Sequence, residues 1–434
     1  MRAEDPTGRP RRIVLATFGS LGDLHPYLAL ARELKGRGHE PVVAASEHYR
    51  PKVEGMGIGF RPVRPDHPDP ATVVALVKRI LHLRKGPERL IREYMMPVIR
   101  ETYEDTRAAA AGADLLVSHP LTFTVRLVAE KQGIPWASSL LQPMGLFSAH
   151  DPPVLAPAPF LAAFRSLGPG FHRPLFRLAK WSVRSWSEPW RRLRADLGLP
   201  PAREDPMFEG SFSPLLVLAL FSPVLAPPQP DWPPRTVAAG FPFLDRPGEA
   251  ELPEPLARFL DGGPPPVVFT LGSSAVMDPG LFHEHSLAAA ARLGRRAVLL
   301  VGSDPAHRPA SLPPGSIAVE YAPFAALFPR AAAVVHPGGI GTTAEAMRAG
   351  RPMLVVPHAF DQPDNAARAV RLGIARSVPR RRYGPARVER ELRVLLEDPA
   401  YARRAAGAGE RIRAEDGART AADAIEEVLG MREG

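Results

Sequence analysis

The densest concentration of residues able to do chemistry is His336-Pro-Gly-Gly-Ile-Gly-Thr-Thr-Ala-Glu345. It follows an apolar run and opens a segment of helical pattern. Gly338, Gly339 and Gly341 allow a ligand to come close to the backbone. The free N–H groups and positive dipole end of a helix starting there attract phosphate oxygens, and Thr342 adds a hydroxyl donor. The glycines alone are equally compatible with a purely structural strand-to-helix turn. No Gly-Lys-Ser/Thr follows, so the stretch is not a P-loop, and its spacing is not G-x-G-x-x-G. It continues into Ala349-Gly-Arg-Pro352, an apolar run Met353–Pro357, Asp361-Gln-Pro-Asp-Asn-Ala366 and Leu372-Gly373.

A second cluster, Gly19-Ser-Leu-Gly-Asp-Leu-His-Pro26, follows the apolar run Arg12–Phe18. A carboxylate in a strand-to-helix loop can face a cleft and take a proton from a reacting hydroxyl. With an ordinary pKa of about 3.9, Asp23 is a weak base for an alcohol. It would act late in proton transfer, or with its pKa raised by burial. Its structural alternative is to cap the helix expected at about 24–37. His25 is an alternative base or a packing residue. No Asp-x-Asp, His-x-x-x-His or Gly-x-Ser-x-Gly pattern occurs, and the chain has no cysteine. Those absences leave metal chemistry unneeded and remove thiol nucleophiles, Cys-ligated zinc and the hydrolase nucleophile elbow.

Such loops need strands to hold them. Short apolar runs alternate with helix-length patterns through both halves, which predicts an α/β chain with parallel sheets. Strands are expected at Arg12–Phe18, Pro41–Ser46, Phe60–Arg64, Asp114–His119, Pro135–Leu141, Leu215–Phe221 and Thr236–Phe241. A second set is expected at Val267–Leu271, Ala297–Val301, Ile317–Tyr321, Ala333–His336 and Met353–Pro357. Between the sets, residues 242–266 gather Pro, Gly and acidic residues and read as a linker. The units are then 1–241, 267–415 and a terminal helical segment, 416–434.

The length of 434 residues fits two or three domains. A hydrophobic fraction of 45% excludes wholesale disorder despite 52 prolines. No apolar run approaches the ~18 residues of a membrane span, and the N-terminal residues 1–12 lack the apolar core of a secretory signal. A cytoplasmic location is expected. The net charge is +9, but only six of the 55 basic residues are Lys and the arginines are spread along the chain. That pattern follows from coding bias and argues against a nucleic-acid partner. Phe171–Arg194, with Trp181, Trp186 and Trp190 among arginines, reads as packed helices, as a pocket wall, or as a weak peripheral membrane contact.

Taken together, the stretches Ala318–Gly373 and Thr17–Leu34 resemble family 1 glycosyltransferases, enzymes of the GT-B fold that use nucleotide sugars. The H-x-GG-x-GTT form is similar to the sterol, glycopeptide and macrolide branches. The resemblance implies two facing Rossmann-like domains with an interdomain cleft, and a last helix crossing back onto the N-terminal domain. It implies that Tyr321 stacks on the nucleotide base, that His336, Thr342 and Ser273 contact the diphosphate, and that Asp361 and Gln362 bind sugar hydroxyls. Glu345 resembles a ribose-binding acid, displaced by one residue from the macrolide pattern. Phe324 stands where the plant branch has a ribose-binding Gln. Asp23 replaces the catalytic His of many members, and His119 stands where others have the Asp that orients that His, so that an Asp23–His119 pair is conceivable. The implied activity is an inverting, metal-independent transfer of a hexose, from UDP-glucose as co-substrate, to a hydroxyl of a lipophilic small molecule (polyketide, sterol or phenolic) in natural-product glycosylation. The alternatives are a non-catalytic nucleotide-sugar-binding protein and a nucleotide-sugar 2-epimerase.

Overall fold

A computed structural model describes residues 9–66, 70–244 and 251–430. Parts of the expected linker (245–250) and of the terminal segment (431–434) lie outside the described residues.

The chain folds into two all-parallel sheets. The first holds β1 (Arg12–Ala16), β2 (Glu40–Ala45), β3 (Gly59–Pro62), β4 (Leu115–Ser118), β5 (Trp136–Leu140), β6 (Val217–Ala219) and β7 (Thr236–Ala238), in the order β3-β2-β1-β4-β5-β6-β7. The second holds β8 (Val267–Thr270), β9 (Ala297–Leu300), β10 (Ser316–Val319), β11 (Ala333–His336), β12 (Met353–Val355) and β13 (Ala375–Ser377), in the order β10-β9-β8-β11-β12-β13. The continuous Val/Ile/Leu runs of the inner strands are buried on both faces, as helix-covered parallel sheets require. Leu15, Val43, Val117, Val268 and Val334 are fully enclosed. This is the expected α/β architecture of two Rossmann-like units.

Strand order reverses beside β1, which lies between β2 and β4, and beside β8, which lies between β9 and β11. In such sheets the crevice beyond the C-terminal strand ends at the reversal is where ligands bind. The loops after β1 and β4 therefore converge at one crevice. Those after β8 and β11 converge at the other.

Helix α1 (Leu21–Gly36) begins three residues earlier than the sequence pattern indicated. Ser20 and Asp23 form a capping box, which satisfies backbone donors of the first turn and pulls Gly22 and Asp23 into the helix. Strand β13 was not anticipated, because Ala375-Arg-Ser377 is short and mostly polar. The helices that matter next are α2 (Gly168–Ser182), α3 (Glu188–Asp196), α4 (Ile340–Arg348) and α5 (Gln362–Arg371). In α3, Trp190 is fully buried and donates Nε1–H to the Phe123 carbonyl at 2.9 Å, so the packing reading holds there. Trp181, in α2, is 72% exposed.

The final helix, α6 (Gly417–Gly430), lies against α1 of the first unit. Arg37 bonds Asp423 and Glu426, and His39 Nε2 is 3.0 Å from Glu426. Among the described residues, no helix is long and apolar enough to cross a membrane.

Candidate active site

At the first crevice, the Asp23 carboxylate folds back over the loop that precedes α1. Its Oδ2 accepts from the Ser20 backbone N–H at 2.7 Å and from the Ser20 hydroxyl at 3.2 Å. Gly19 has φ +134°, and a Cβ there would stand 2.2 Å from Asp23 Oδ2, so only glycine lets the carboxylate lie in this position. The other oxygen, Oδ1, faces His119 Nε2 at 3.7 Å. His119, just past β4, is buried, and its Nδ1 accepts from the Leu121 N–H at 3.1 Å. That fixes the proton on Nε2, pointing toward Asp23. Burial pushes the His119 pKa down to about 3, so the ring is neutral. Burial pushes Asp23 up to about 6, against the opposing hydrogen bonds from Ser20. The structure thus brings Asp23 and His119 together, 0.5 Å beyond the longest N–H···O hydrogen bond of ~3.2 Å. His25 sits half-buried two residues further along α1.

At the second crevice, His336 ends β11 fully buried, with Nδ1 accepting from the Gly338 N–H at 3.1 Å. Its Nε2–H has no hydrogen-bond partner among the described residues. Burial lowers its pKa to about 3, so it is a neutral N–H donor. Gly338 has φ +92°, and a Cβ would approach Val355 Cγ1 to 2.7 Å and the Gln362 carbonyl to 3.1 Å. Glycine is therefore required where the loop passes under α5. Gly339 is the N-cap of α4. A methyl on Gly272, in the loop after β8, would sit 3.4 Å from Thr342 Oγ1, so the Ser273 loop and the α4 N-terminus share one wall. Tyr321 is 62% exposed, so its ring lies at the surface and not in the core. Glu345 is half-buried and ion-paired with Arg348 at 2.6 Å, three residues along the same helix.

Asp361 caps the other side of this crevice. Its Oδ2 accepts from Asn365 Nδ2 at 2.6 Å, and the same amide donates to the Gly338 carbonyl at 2.9 Å. Gln362 Oε1 accepts from the His358 and Ala359 N–H groups at 2.7 and 3.1 Å. Phe360, a bulky residue at φ +54°, turns the chain into this cap, a strained backbone of the kind found at functional sites. Burial raises the Asp361 pKa to about 7, and the charge of Asp23 is the next largest cause. The two crevices therefore face each other. A methyl at Gly341 would lie 3.6 Å from Gly22 Cα, helix start against helix start.

An acid at the first crevice and an anion-seeking loop with sugar-capable polar groups at the second suit group transfer from a phosphorylated donor. Comparison with known proteins agrees. Residues 13–143 match the glycosyltransferase family 28 N-terminal domain, and residues 284–428 match the C-terminal domain described as erythromycin biosynthesis protein CIII-like. Over 428 residues the chain is 37% identical to O-mycaminosyltylonolide 6-deoxyallosyltransferase of Streptomyces fradiae, covering 96% of this chain and 97% of that protein. The chain is a family 1 glycosyltransferase of the GT-B fold. This glycosyltransferase is also 29% identical over 384 residues to the sterol 3-beta-glucosyltransferase of Leptosphaeria maculans, covering 84% of its own length but 25% of that much longer protein. Among solved structures, the glycosyltransferase of kitacinnamycin superposes with a TM-score of 0.69 at 25% identity, over 97% of this chain and 99% of that one.

Sequence reasoning about the glycosyltransferase overlooked Asn365 and Asp364. Asn365 staples Asp361 to the glycine loop, and Asp364 accepts from the Val154 N–H at 2.9 Å, tying α5 to the first unit. The signal was available in Asp361-x-x-Asp-Asn365, whose i, i+3 and i, i+4 spacing places these groups on neighbouring turns.

Proposed function

We propose that this glycosyltransferase moves a 6-deoxyhexose from a nucleoside diphosphate sugar to a hydroxyl of a lipophilic polyketide-type acceptor, with inversion and without metal. The Asp23–His119 pair, facing the phosphate-seeking loop across the cleft, carries the reading. Asp23 takes the proton of the acceptor hydroxyl while that oxygen attacks the anomeric carbon, and the bond from that carbon to the diphosphate breaks. His119 Nε2–H, aimed at Asp23 Oδ1 from 3.7 Å, becomes an orienting donor to the carboxylate once the gap closes by about 0.5 Å in the substrate complex. A pKa of about 6 makes Asp23 a better base than an ordinary carboxylate and still leaves it ionised at neutral pH.

The N-terminal unit is read as the acceptor side and the C-terminal unit as the donor side. The departing diphosphate is received by His336 Nε2–H, by Thr342 and Ser273, and by the start of α4 (Gly339–Gly341). An unmet buried donor costs ~1–3 kcal/mol, and an incoming phosphate oxygen would recover that at His336. Tyr321 offers an exposed ring for the base. Asp361 and the Gln362 amide nitrogen bind sugar hydroxyls. A 6-deoxyhexose keeps its hydroxyls at carbons 2, 3 and 4, so these partners suit it as well as glucose. The Streptomyces relative is a 6-deoxyallosyltransferase, which favours the deoxysugar over the UDP-glucose expected from the sequence. Glu345, held by Arg348, is less available to a ribose than its position suggested.

Thermal shift with UDP, dTDP, GDP and their sugar conjugates identifies the nucleotide. Ligand at ~100 times its Kd adds about 2.7 kcal/mol, and His336→Ala should abolish the shift. No shift with any nucleotide would overturn the donor assignment. Transfer that is unchanged by EDTA and gives inverted anomeric configuration by NMR is expected. Retention of configuration would overturn the single-displacement mechanism.

A further inference from the structure

A cavity of about 270 Å3 opens between residues 152–176 and the later turns of α5. Its apolar wall includes Leu161, Leu175, Phe176 and Val370, and its polar wall holds Arg165, His172 and Arg371. Residues 367–371 lie ~9–15 Å along the helix axis from Asp361 at 1.5 Å per residue, so the cavity is set apart from the sugar-binding end of α5.

The charges around it do not balance. Three guanidinium groups, Arg165, Arg368 and Arg371, surround two carboxylates, Asp151 and Asp364. Asp151 is bonded by Arg165 through one oxygen and by Arg368 through the other. Asp364 is used by the Val154 N–H and by Arg368 Nε at 2.7 Å. Arg371 is left 3.6 Å from Asp151 Oδ1, beyond hydrogen-bond reach. Burial and the adjacent charges of Arg165 and Arg368 depress its pKa. On the same wall, His172 Nε2 donates to the Phe164 carbonyl at 3.1 Å, while Nδ1 is buried with no hydrogen-bond partner among the described residues.

We propose that this cavity is a second binding site, separate from the transfer cleft, for a medium-chain apolar carboxylate whose head pairs with Arg371. The anion supplies the missing negative charge, and its chain occupies the Leu161–Leu175–Phe176–Val370 wall. At about 30 Å3 per water-sized group the volume admits about nine groups, close to the ten non-hydrogen atoms of an eight-carbon acid. Because the cavity is walled by segments of both units, its occupant would bear on how they are held together.

The test is calorimetric titration of the full-length protein with octanoate and, separately, octanol. Octanoate should bind at least tenfold more tightly than octanol, and saturating donor nucleotide should not displace it. Arg371→Gln should weaken octanoate at least tenfold and leave octanol unchanged. Leu175→Trp, which fills the cavity, should abolish both while the nucleotide thermal shift persists. Octanol binding as tightly as octanoate, displacement by nucleotide, or undiminished octanoate binding in either variant would overturn the proposal. Loss of the nucleotide shift in wild-type protein would instead count against the glycosyl-transfer reading and leave this site untouched.

Discussion

Asp23 and Asp361 are the two cleft carboxylates on whose charge states the proposed transfer depends. Both are raised by burial, to about 6 and about 7, and each sits on a different unit, with Asp23 adding to the shift of Asp361. The proton-accepting form of Asp23 is the carboxylate, so kcat/KM should rise with pH through about 6 and level off above it. Asp23→Asn should lose 10²- to 10⁴-fold in transfer rate, keep nucleotide binding, and lose that inflection. A fully active Asn variant would move the base elsewhere, with His25 the next residue to test. The same shifts affect stability. A folded-state pKa above the unfolded value near 3.8 means that the native state binds more protons between the two. Stability attributable to these groups is therefore greatest below about pH 4 and declines as pH rises to about 7. Asp361→Asn can still accept from Asn365 and carries no charge. It should raise the thermal midpoint at pH 8 and flatten the decline between pH 5 and 8, and a lowered midpoint at pH 8 would contradict the carboxylate repulsion.

At the scale of elements, the site is a meeting of helix starts: α1 with its capping box, α4 after the glycine loop, and α5 after Asp361. Gly338 is the tightest joint among them. Gly338→Ala combines a positive φ with a collision against Val355 and the Gln362 carbonyl, and should cost several kcal/mol, seen as a drop in midpoint together with loss of the nucleotide shift. Gly339→Ala, at an open position with φ −57°, should be tolerated in folding. The strands around these joints were legible because parallel strands buried on both faces must be written as unbroken apolar runs, and Val267–Thr270 or Ala333–His336 can hardly be read otherwise. The glycine loop was legible because a strand-to-helix turn that takes a positive φ and passes close under its neighbours has to be written with glycine, as at Gly338. Harder to see was anything that depends on two distant segments meeting. The pairing of Asp23 with His119 spans 96 positions of the chain, and the attachment of Asp364 to Val154 spans 210. The start of α1 was misplaced for a local reason: Gly22 looks like loop, and the Ser20–Asp23 capping box outweighs its helix cost of ~1 kcal/mol.

Across the whole molecule, the two units are joined on one flank by α6 lying on α1 and on another by a buried ionic core. In that core Arg368 is 2% exposed and bonds Asp364 of its own helix and Asp151 of the first unit. Surface pairs of this kind contribute ~1 kcal/mol or less, but removing one member of a buried set leaves an uncompensated charge and costs ~3–5 kcal/mol. Arg368→Met keeps much of the side-chain volume and strands the Asp364 carboxylate, which has no exposure, with a single backbone N–H. It should lower the midpoint far more than Arg37→Met, whose partners Asp423 and Glu426 are open to water. Adding Asp364→Leu to Arg368→Met should return most of the loss, because the stranded charge is the source of the cost. Salt separates the two sites further. At 1 M NaCl, where the Debye length is ~3 Å, the penalty of Arg37→Met should shrink toward zero while that of Arg368→Met persists. Equal penalties at low and high salt for both variants, or no recovery in the double variant, would mean that the flanks are held by packing and not by these charges. Since Asp361 is the N-cap of α5 and Arg368 lies about two turns further along, the same variant should also lower the transfer rate at saturating substrates more than it weakens nucleotide binding. The ionic core would then set where the sugar-binding end of the helix stands relative to Asp23.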